Sequence, residues 1–280
     1  MKAMNTLSHT AALLSAPPKV TVVTIVLNAV DVIERTLKSV IGQDYPNLEY
    51  IVVDGMSTDG TLELIQKYSS RIDTLVSGKD GGIYQAMNKG AAMASGEWLL
   101  FMNGGDVFAG PDVISRTFAN CDHAKIDFIY GDMIITHEGR RVIRIAPDAL
   151  TLKDNNRFSH QSTFIRTNLQ NEYSFDISEK IAADYDLYLR LFKAGKMFKH
   201  VDVVVSEFFT GGLSDRPPEE TIRLQHRVYK KHFPRGDIFL YFKLTVLGAK
   251  KLAKMLIPAR VWAELKRLRS RGKLLSSSEY

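Results

Sequence analysis

The run from Val20 to Leu27 is β-branched and apolar throughout, as expected of a strand buried on both faces. Behind it, Ile33, Leu37, Val40 and Ile41 recur at helical spacing, and the pattern stops before Pro46. The alternation then repeats. EYIVVD (49–54) reads as a strand, and STDGTLELIQKY (57–68) as Ser/Asp capping candidates leading into a helix. DTLVS (73–77) is a third strand. GGIYQAMNKGAAMASG (81–96) predicts a helix with Ile83, Met87, Ala91 and Ala94 on one face and Gly96 as its stop. EWLLFM (97–102) completes four β-α alternations, which predict a parallel sheet covered by helices.

After residue 110 the rhythm changes. DFIYGDMIITHEGRRVIRIA (127–146) reads as two strands around a Glu138-Gly139 turn, and HQSTFIRT (160–167) as another strand. IAADYDLYLRLFKAG (181–195) predicts a helix with Leu187, Leu191 and Ala194 inward, and VDVVVSEF (201–208) a further strand. No linker-like stretch separates the halves, so the second reads as a mixed extension of the first sheet.

Charge divides the chain differently. From Arg223 onward there are 15 Lys and Arg against 3 Asp and Glu, whereas the preceding part has 22 against 28. A whole-protein nucleic-acid reading therefore loses its support, and a basic tail with its own partner gains it. Residues 1–18 read as a flexible leader ending at Pro17-Pro18, with no apolar run suited to a signal peptide. No stretch approaches the length of a membrane-spanning helix. The single Cys121 excludes a disulfide framework and a multi-cysteine zinc site, and fits a reducing compartment.

Acidic and glycine residues gather just past strand ends: Asp54-Gly55, Asp80-Gly81-Gly82 and Gly104-Gly105-Asp106. In a parallel sheet these ends share one edge, where ligands bind. One strand-end Asp is usually a cap or turn former; three clusters describe a crevice suited to a cation and a ribose or phosphate group. Neither G-x-G-x-x-G after the first strand nor a P-loop motif is present, so dinucleotide and P-loop readings lack their fingerprints.

Three stretches, VTIVLNAVDVIERTLKSVIGQDYPNLEYIVVDGMSTDGT, DGGIYQAMNKGAAMASGEWLLFMNGGD and IAADYDLYLRLFKAG, resemble family 2 glycosyltransferases. SHQSTF and VSEFFTGGLS resemble the exopolysaccharide, colanic-acid-type branch. The resemblance covers roughly residues 20–214, in order. It implies an α/β GT-A nucleotide-diphospho-sugar fold: a mostly parallel, Rossmann-like sheet with a mixed extension and C-terminal helices. The expected organisation is a GT-A domain over 19–222, with a donor half to about 110 and an acceptor half from 111, then a basic helical tail over 223–280.

The resemblance also implies an inverting, metal-dependent enzyme that moves one sugar from a nucleotide-diphospho-sugar donor to a saccharide or lipid-linked saccharide acceptor. By position, Asp54 resembles the carboxylate that reads the donor's base, and Ser57 and Asp59 the turn that shapes that pocket. Asp80, Asn88, Lys89, Asn103 and Gly104 fall in donor-side motifs. Asp106 matches the carboxylate that holds Mn²⁺ or Mg²⁺ on the diphosphate, and Asp184 the catalytic base. His160 and Gln161 are acceptor-pocket candidates, a structural histidine being the equal alternative. For Asp184 the alternative is helix capping. Asp186 is the rival base, better explained as a helix-surface ion pair with Arg190.

The departures are specific. Asn103 and Gly105 stand where Asp is common, leaving Asp106 as the motif's one carboxylate; Gly55 replaces a frequent second Asp, Leu27 a frequent tyrosine and Ala183 a frequent Glu. The rival functions are a non-catalytic nucleotide-sugar-binding or scaffold protein and a nucleotidyltransferase, the latter lacking its glycine-rich loop. In the tail, Phe242, Val246, Ala249, Ala253 and Leu256 share one helical face, and Lys243, Lys250 and Lys254 another. Residues 240–271 are thus expected either on an anionic membrane surface or packed on the catalytic domain. The former implies a cytoplasmic protein peripheral to the inner face of the membrane.

Overall fold

The computed structural model describes residues 17–119, 121–152, 158–179, 181–209 and 218–234. The division into compact units falls between residues 216 and 217. Residues 1–16 of the leader, the end of the VSEFFTGGLS stretch and the segment 240–271 expected to bind membrane lie outside the described residues.

In the first unit the β-branched run becomes β1 (Val20–Val26), buried at every position. It lies at the middle of a parallel set with β2 (Leu48–Asp54), β3 (Thr74–Ser77) and β4 (Trp98–Phe101). β2 and β3 lie on one side of β1, and β4 pairs on the other. The helices between them are α1 (Val30–Ile41), α2 (Thr61–Gln66) and α3 (Ile83–Met93). α1 buries Ile33, Thr36, Leu37 and Val40, the expected face with one polar residue in it. α3 packs closely on the sheet because Gly90 has no side chain. A Cβ there would come within 2.4 Å of Val23 Cγ1.

β5 (Val107–Phe108) and α4 (Val113–Ala119) lead into the second half. There β6 (Phe128–His137), β7 (Arg140–Arg144), β8 (Thr163–Arg166) and β9 (Phe198–Phe209) extend the sheet. The full order is β3-β2-β1-β4-β8-β6-β9-β5, with β7 paired to β6. β8 runs antiparallel to both β4 and β6, while β6 and β9 are parallel. The halves are thus one mixed sheet, as the missing linker implied. α5 (Thr167–Tyr173) and α6 (Ala183–Lys193) complete the unit. Trp98, Phe118 and Phe164 meet edge to face in the core between the halves.

Several expectations shift by a turn or less. The α3 face is rotated: Ile83 is exposed, while Tyr84 and Ala86 are buried with Met87 and Ala91. Tyr84 wins the inward position because its ring reaches Phe175, at 5.1 Å between centroids, and its hydroxyl donates to Ile181 O. Residues 160–162 form a 3₁₀ turn before β8 rather than its first residues. Ala194 lies past the end of α6 and is exposed. Within 57–68 the helix follows the Ser57–Asp59 turn as expected, running from Thr61 to Gln66.

In the second unit, α7 (Pro218–His232) ends in Lys230, Lys231 and His232, with the Tyr229 and Phe233 rings stacked at 5.1 Å. Among the described residues, no helix is long and apolar enough to cross a membrane.

Candidate active site

The chain leaves β1 toward β2 on one side and later returns to β4 on the other, so β1 and β4 flank a topological switch point. Crevices for ligands form outside the carboxyl ends of strands at such points. All three acidic clusters lie along this edge.

The first part of the crevice is built by two interlocked loops. Past β1, Asn28 N donates to Ser57 Oγ, Ala29 N to Thr61 Oγ1 and Val30 N to Asp59 Oδ2. Past β2, Thr58 N donates to Asn28 Oδ1, and Thr61 N and Oγ1 both donate to Asp59 Oδ1. Asp59 therefore satisfies the opening N–H groups of α1 and α2 together, where neither helix has a side-chain cap of its own. The Thr61 hydroxyl and the N–H groups hold its carboxyl below the usual range.

Asp54 ends β2 with no exposed surface, yet its carboxylate is well served. It accepts from Ser57 N at 3.2 Å and from Ser77 Oγ at 2.6 Å. Asp80 faces it from beyond β3. Burial raises the Asp80 pKa, Lys89 opposes the rise and the Asp54 charge adds to it. Lys89 reaches this place from α3. Asn88 beside it is committed differently, because its amide exchanges two 2.9 Å hydrogen bonds with the Phe175 backbone. Leu27, 59 % exposed, flanks Gly55 on the rim.

The second part lies past β4. Asp106 N closes a turn onto Asn103 O, and Gly105 supplies the required positive φ of 103°. Thr36, the polar residue on the buried face of α1, fastens this turn: Gly105 N donates to its hydroxyl, which donates to Asp106 O at 2.8 Å. The Asp106 carboxylate is 8 % exposed and accepts from Gln161 Nε2 at 3.1 Å. Burial pushes its pKa up to about 7, against the Gln161 hydrogen bond and the attraction of Arg35. Asn103 Nδ2 meets His160 Nε2 at 2.9 Å, while Asn103 Oδ1 is buried without a hydrogen-bond partner. Burial holds the His160 pKa down at about 4, so the ring is neutral at physiological pH. His160 and Gln161 thus form the floor under the turn at residues 103–106.

Arg35 carries no motif and is not legible in the sequence. Its guanidinium stacks 3.8 Å from the Phe209 ring centroid. Burial lowers its pKa, opposed by Asp106 and Glu207. Thr36 does leave a signal, as the hydroxyl within an otherwise apolar helical face.

Asp184 sits in the first turn of α6, with Ala182 rather than Asp184 at the N-cap position. Burial is the main cause that raises the Tyr84 and Tyr188 phenols, and the Asp184 charge adds to both. The carboxylate therefore neighbours α3, the helix that follows Asp80. Asp186 does pair with Arg190, Oδ2 to Nε at 2.8 Å, but the pair is not on the surface: Asp186 is 0 % exposed. Arg190 also donates to Ser174 O and Tyr173 O, which fixes the loop before α6.

A fold with this switch-point crevice and these loop carboxylates falls in the GT-A class. The family model for glycosyl transferase family 2 matches residues 21–183, more than half of the chain, and the chain belongs to that family. It is 30% identical over 208 residues to the PGL/p-HBAD biosynthesis glycosyltransferase of Mycobacterium bovis, covering 71% of this chain and 80% of that one. Its fold matches Staphylococcus aureus TarS 1–349 in complex with UDP-GlcNAc, with a TM-score of 0.62 and 20% identity over 80% of this chain and 69% of that one. It also matches the mannosyltransferase PcManGT of Pyrobaculum calidifontis in complex with GDP-Man and Mn²⁺. There the TM-score is 0.60 and the identity 17%, over 95% of this chain and 82% of that one.

The residues fit a hard divalent cation in a limited way. Among the described residues no three His, Cys, Asp or Glu side chains gather to hold a metal. Asp106 and the unpartnered Asn103 Oδ1 supply oxygen donors, and Mg²⁺-like ions commonly take one or two carboxylates with phosphate oxygens and water.

Proposed function

We propose that this chain is an inverting glycosyltransferase that moves one sugar from a nucleotide-diphospho-sugar to a saccharide acceptor, lipid-linked, in surface or exopolysaccharide biosynthesis. Asp106 carries the reading: a buried carboxylate with its pKa lifted to about 7, fixed at the switch point of a family 2 chain. The similarity to a relative named for PGL/p-HBAD biosynthesis supports a surface-glycan acceptor.

In this reading the nucleotide lies over the β1–β2 side. Asp54 underlies the base, with Ser57 and Asp59 holding the loop and Asp80 and Lys89 bordering the sugar nucleotide. Asn88 acts at one remove, by pinning α3 to the Phe175 backbone. The diphosphate lies over Asn103 and Gly104. Asp106, with Asn103 Oδ1, would hold Mn²⁺ or Mg²⁺, which would supply neutralising charge to the leaving diphosphate. Asp184 takes the proton from the acceptor hydroxyl while that oxygen attacks the anomeric carbon and the bond to the diphosphate breaks, inverting the centre. His160 and Gln161 brace the floor between donor and acceptor, through Asn103 and Asp106 respectively. The basic segment 240–271 attaches the protein peripherally to an anionic membrane; those residues lie outside the described structure.

The test is a panel of UDP-, GDP- and dTDP-sugars, followed by thermal shift with and without Mn²⁺ and by NMR of the product anomer. Divalent-enhanced stabilisation by one donor and an inverted product are expected. Retention of configuration would contradict the mechanism. Donor binding without divalent-dependent hydrolysis or transfer would favour the non-catalytic binding protein.

A further inference from the structure

The β6–β7 hairpin stands apart from the rest of the first unit in both position and surface. β8 is antiparallel to β4 and to β6, so β6 runs in the same sense as β4. Tyr130 lies at the level where β4 ends, and β6 continues to His137. Its carboxyl end therefore adds about 20 Å of strand beyond the edge that carries the crevice. Glu138 and Gly139 turn the chain with positive φ, and β7 returns along β6, its only strand partner among the described residues.

The returning segment is Arg140-Arg141-Val142-Ile143-Arg144-Ile145, with three arginines and no acid, in a part of the chain that is otherwise acidic. Val142, Ile143 and Ile145 are 63 %, 58 % and 70 % exposed. Val142 and Ile143 are consecutive, so they point to opposite faces, and both are exposed. Arg141 is the anchor: its guanidinium makes a two-bond pair with Glu207, Nη2 to Oε2 at 2.8 Å and Nε to Oε1 at 3.0 Å. Glu207 in turn pairs in register with Val107, the residue after Asp106. The hairpin is thus tied to the strand that follows Asp106, while Arg140, Val142, Ile143 and Ile145 are exposed and Arg144, half-buried at the base of β7, donates to Met133 Sδ.

We infer that the β6–β7 hairpin docks into the interface of an anionic lipid bilayer, with Val142, Ile143 and Ile145 entering the headgroup boundary and Arg140 and Arg144 meeting lipid phosphates. Isolated exposed aliphatic residues need no explanation, but three within four positions among arginines match the chemistry of that interface. Pairing with a second copy is disfavoured in the register centred on Val142. Antiparallel pairing about Val142 would set Arg140 opposite Arg144, like charges in direct register. The consequence is that the mouth of the crevice faces the membrane. This inference does not rest on the identity of the donor, the acceptor or the catalytic base.

A fluorophore sensitive to its environment tests this locally, whatever the basic tail contributes. The full chain with Cys121→Ser and Ile143→Cys carries the label at position 143; a control with Ser70→Cys carries it at the opposite sheet edge. With vesicles of equal phosphatidylglycerol and phosphatidylcholine, the label at 143 should blue-shift and brighten while the control stays unchanged. Phosphatidylcholine alone should give little response. Replacing Arg140 and Arg144 with Gln should weaken the response by about fivefold per arginine. Unchanged melting temperatures in these variants would confirm that folding is intact. Vesicle association with position 143 still in water would overturn the inference, leaving the tail as the anchor. A spectral change that grows with protein concentration without vesicles would overturn it in favour of self-association.

Discussion

The two sides of the crevice bury one carboxylate each and treat it differently. Past β2, Asp54 is fully enclosed but receives the Ser57 N–H and the Ser77 hydroxyl. Past β4, Asp106 is nearly as enclosed but receives only the Gln161 amide, with Arg35 as a neighbouring cation, and its pKa rises to about 7. The neighbouring Asn103 Oδ1 has no partner. Burying polar atoms without partners is unfavourable. The β2 side is therefore a finished scaffold, while the β4 side holds oxygen donors whose burial a bound cation would compensate. This places the binding free energy of the proposed cation on the second side.

The largest expected effect lies at Asp184, the proposed catalytic base. Asp184→Asn keeps the shape of the side chain but removes the proton acceptor, so transfer should slow by about 10² to 10⁴. Donor affinity should barely change. Single-turnover transfer under saturating donor and Mn²⁺ separates the two. Near-normal transfer would remove Asp184 from the mechanism. Asp186→Asn should instead act through stability, because it breaks the buried pair with Arg190.

Next in size is an effect with an unusual sign. Between its ordinary value of 3.8 and about 7, folded Asp106 keeps a proton that the unfolded chain has released. Without cation, folding is therefore opposed increasingly as pH rises through this window, and the whole penalty is present above it. Asp106→Asn should stabilise the cation-free protein at pH 8, by roughly 2–4 kcal/mol. The same variant should lose its response to Mn²⁺. Denaturant unfolding of both proteins at pH 5 and pH 8 checks the sign, since the gain should be smaller at pH 5.

A smaller effect tests the finished side. Thr61→Val is close in shape but removes the hydroxyl that links Ala29 N to Asp59. The expected loss is about 1–2 kcal/mol. Donor affinity should fall as the Asn28–Ser57 loop pair loosens, while Mn²⁺ affinity stays within a few-fold. Equal losses of both would mean that the two sides are one mechanical unit.

The strands are readable in the sequence because their β-branched runs are long and both faces are buried, which leaves little ambiguity of period. The acidic clusters are readable because each follows such a strand. The Arg141–Glu207 anchor, the closure of Thr36 on Asp106, and the double capping by Asp59 are not. Each joins residues distant in sequence or borrows a group from a neighbouring loop. The α3 face departs from its periodicity at Ile83 for a related reason, as the ring of Tyr84 finds its partner in Phe175, on the far half of the chain. Arg35 is the clearest case: a charged residue on an amphipathic helix reads as solvated, and only the fold brings it beside Asp106 and against the Phe209 ring.

The most direct test of the contrast between the two sides is the Mn²⁺ affinity of the full chain, saturated with the nucleoside diphosphate of the donor that the panel selects, measured by calorimetry from pH 5.5 to 8.5. A cation held by Asp106 must displace its proton. Affinity should therefore rise about tenfold per pH unit below about 7 and level off above it. The Asp106→Asn protein should show weak binding with no such break. A wild-type affinity that is flat across pH 7, or an Asp106→Asn protein that binds Mn²⁺ as tightly as wild type, would contradict the account.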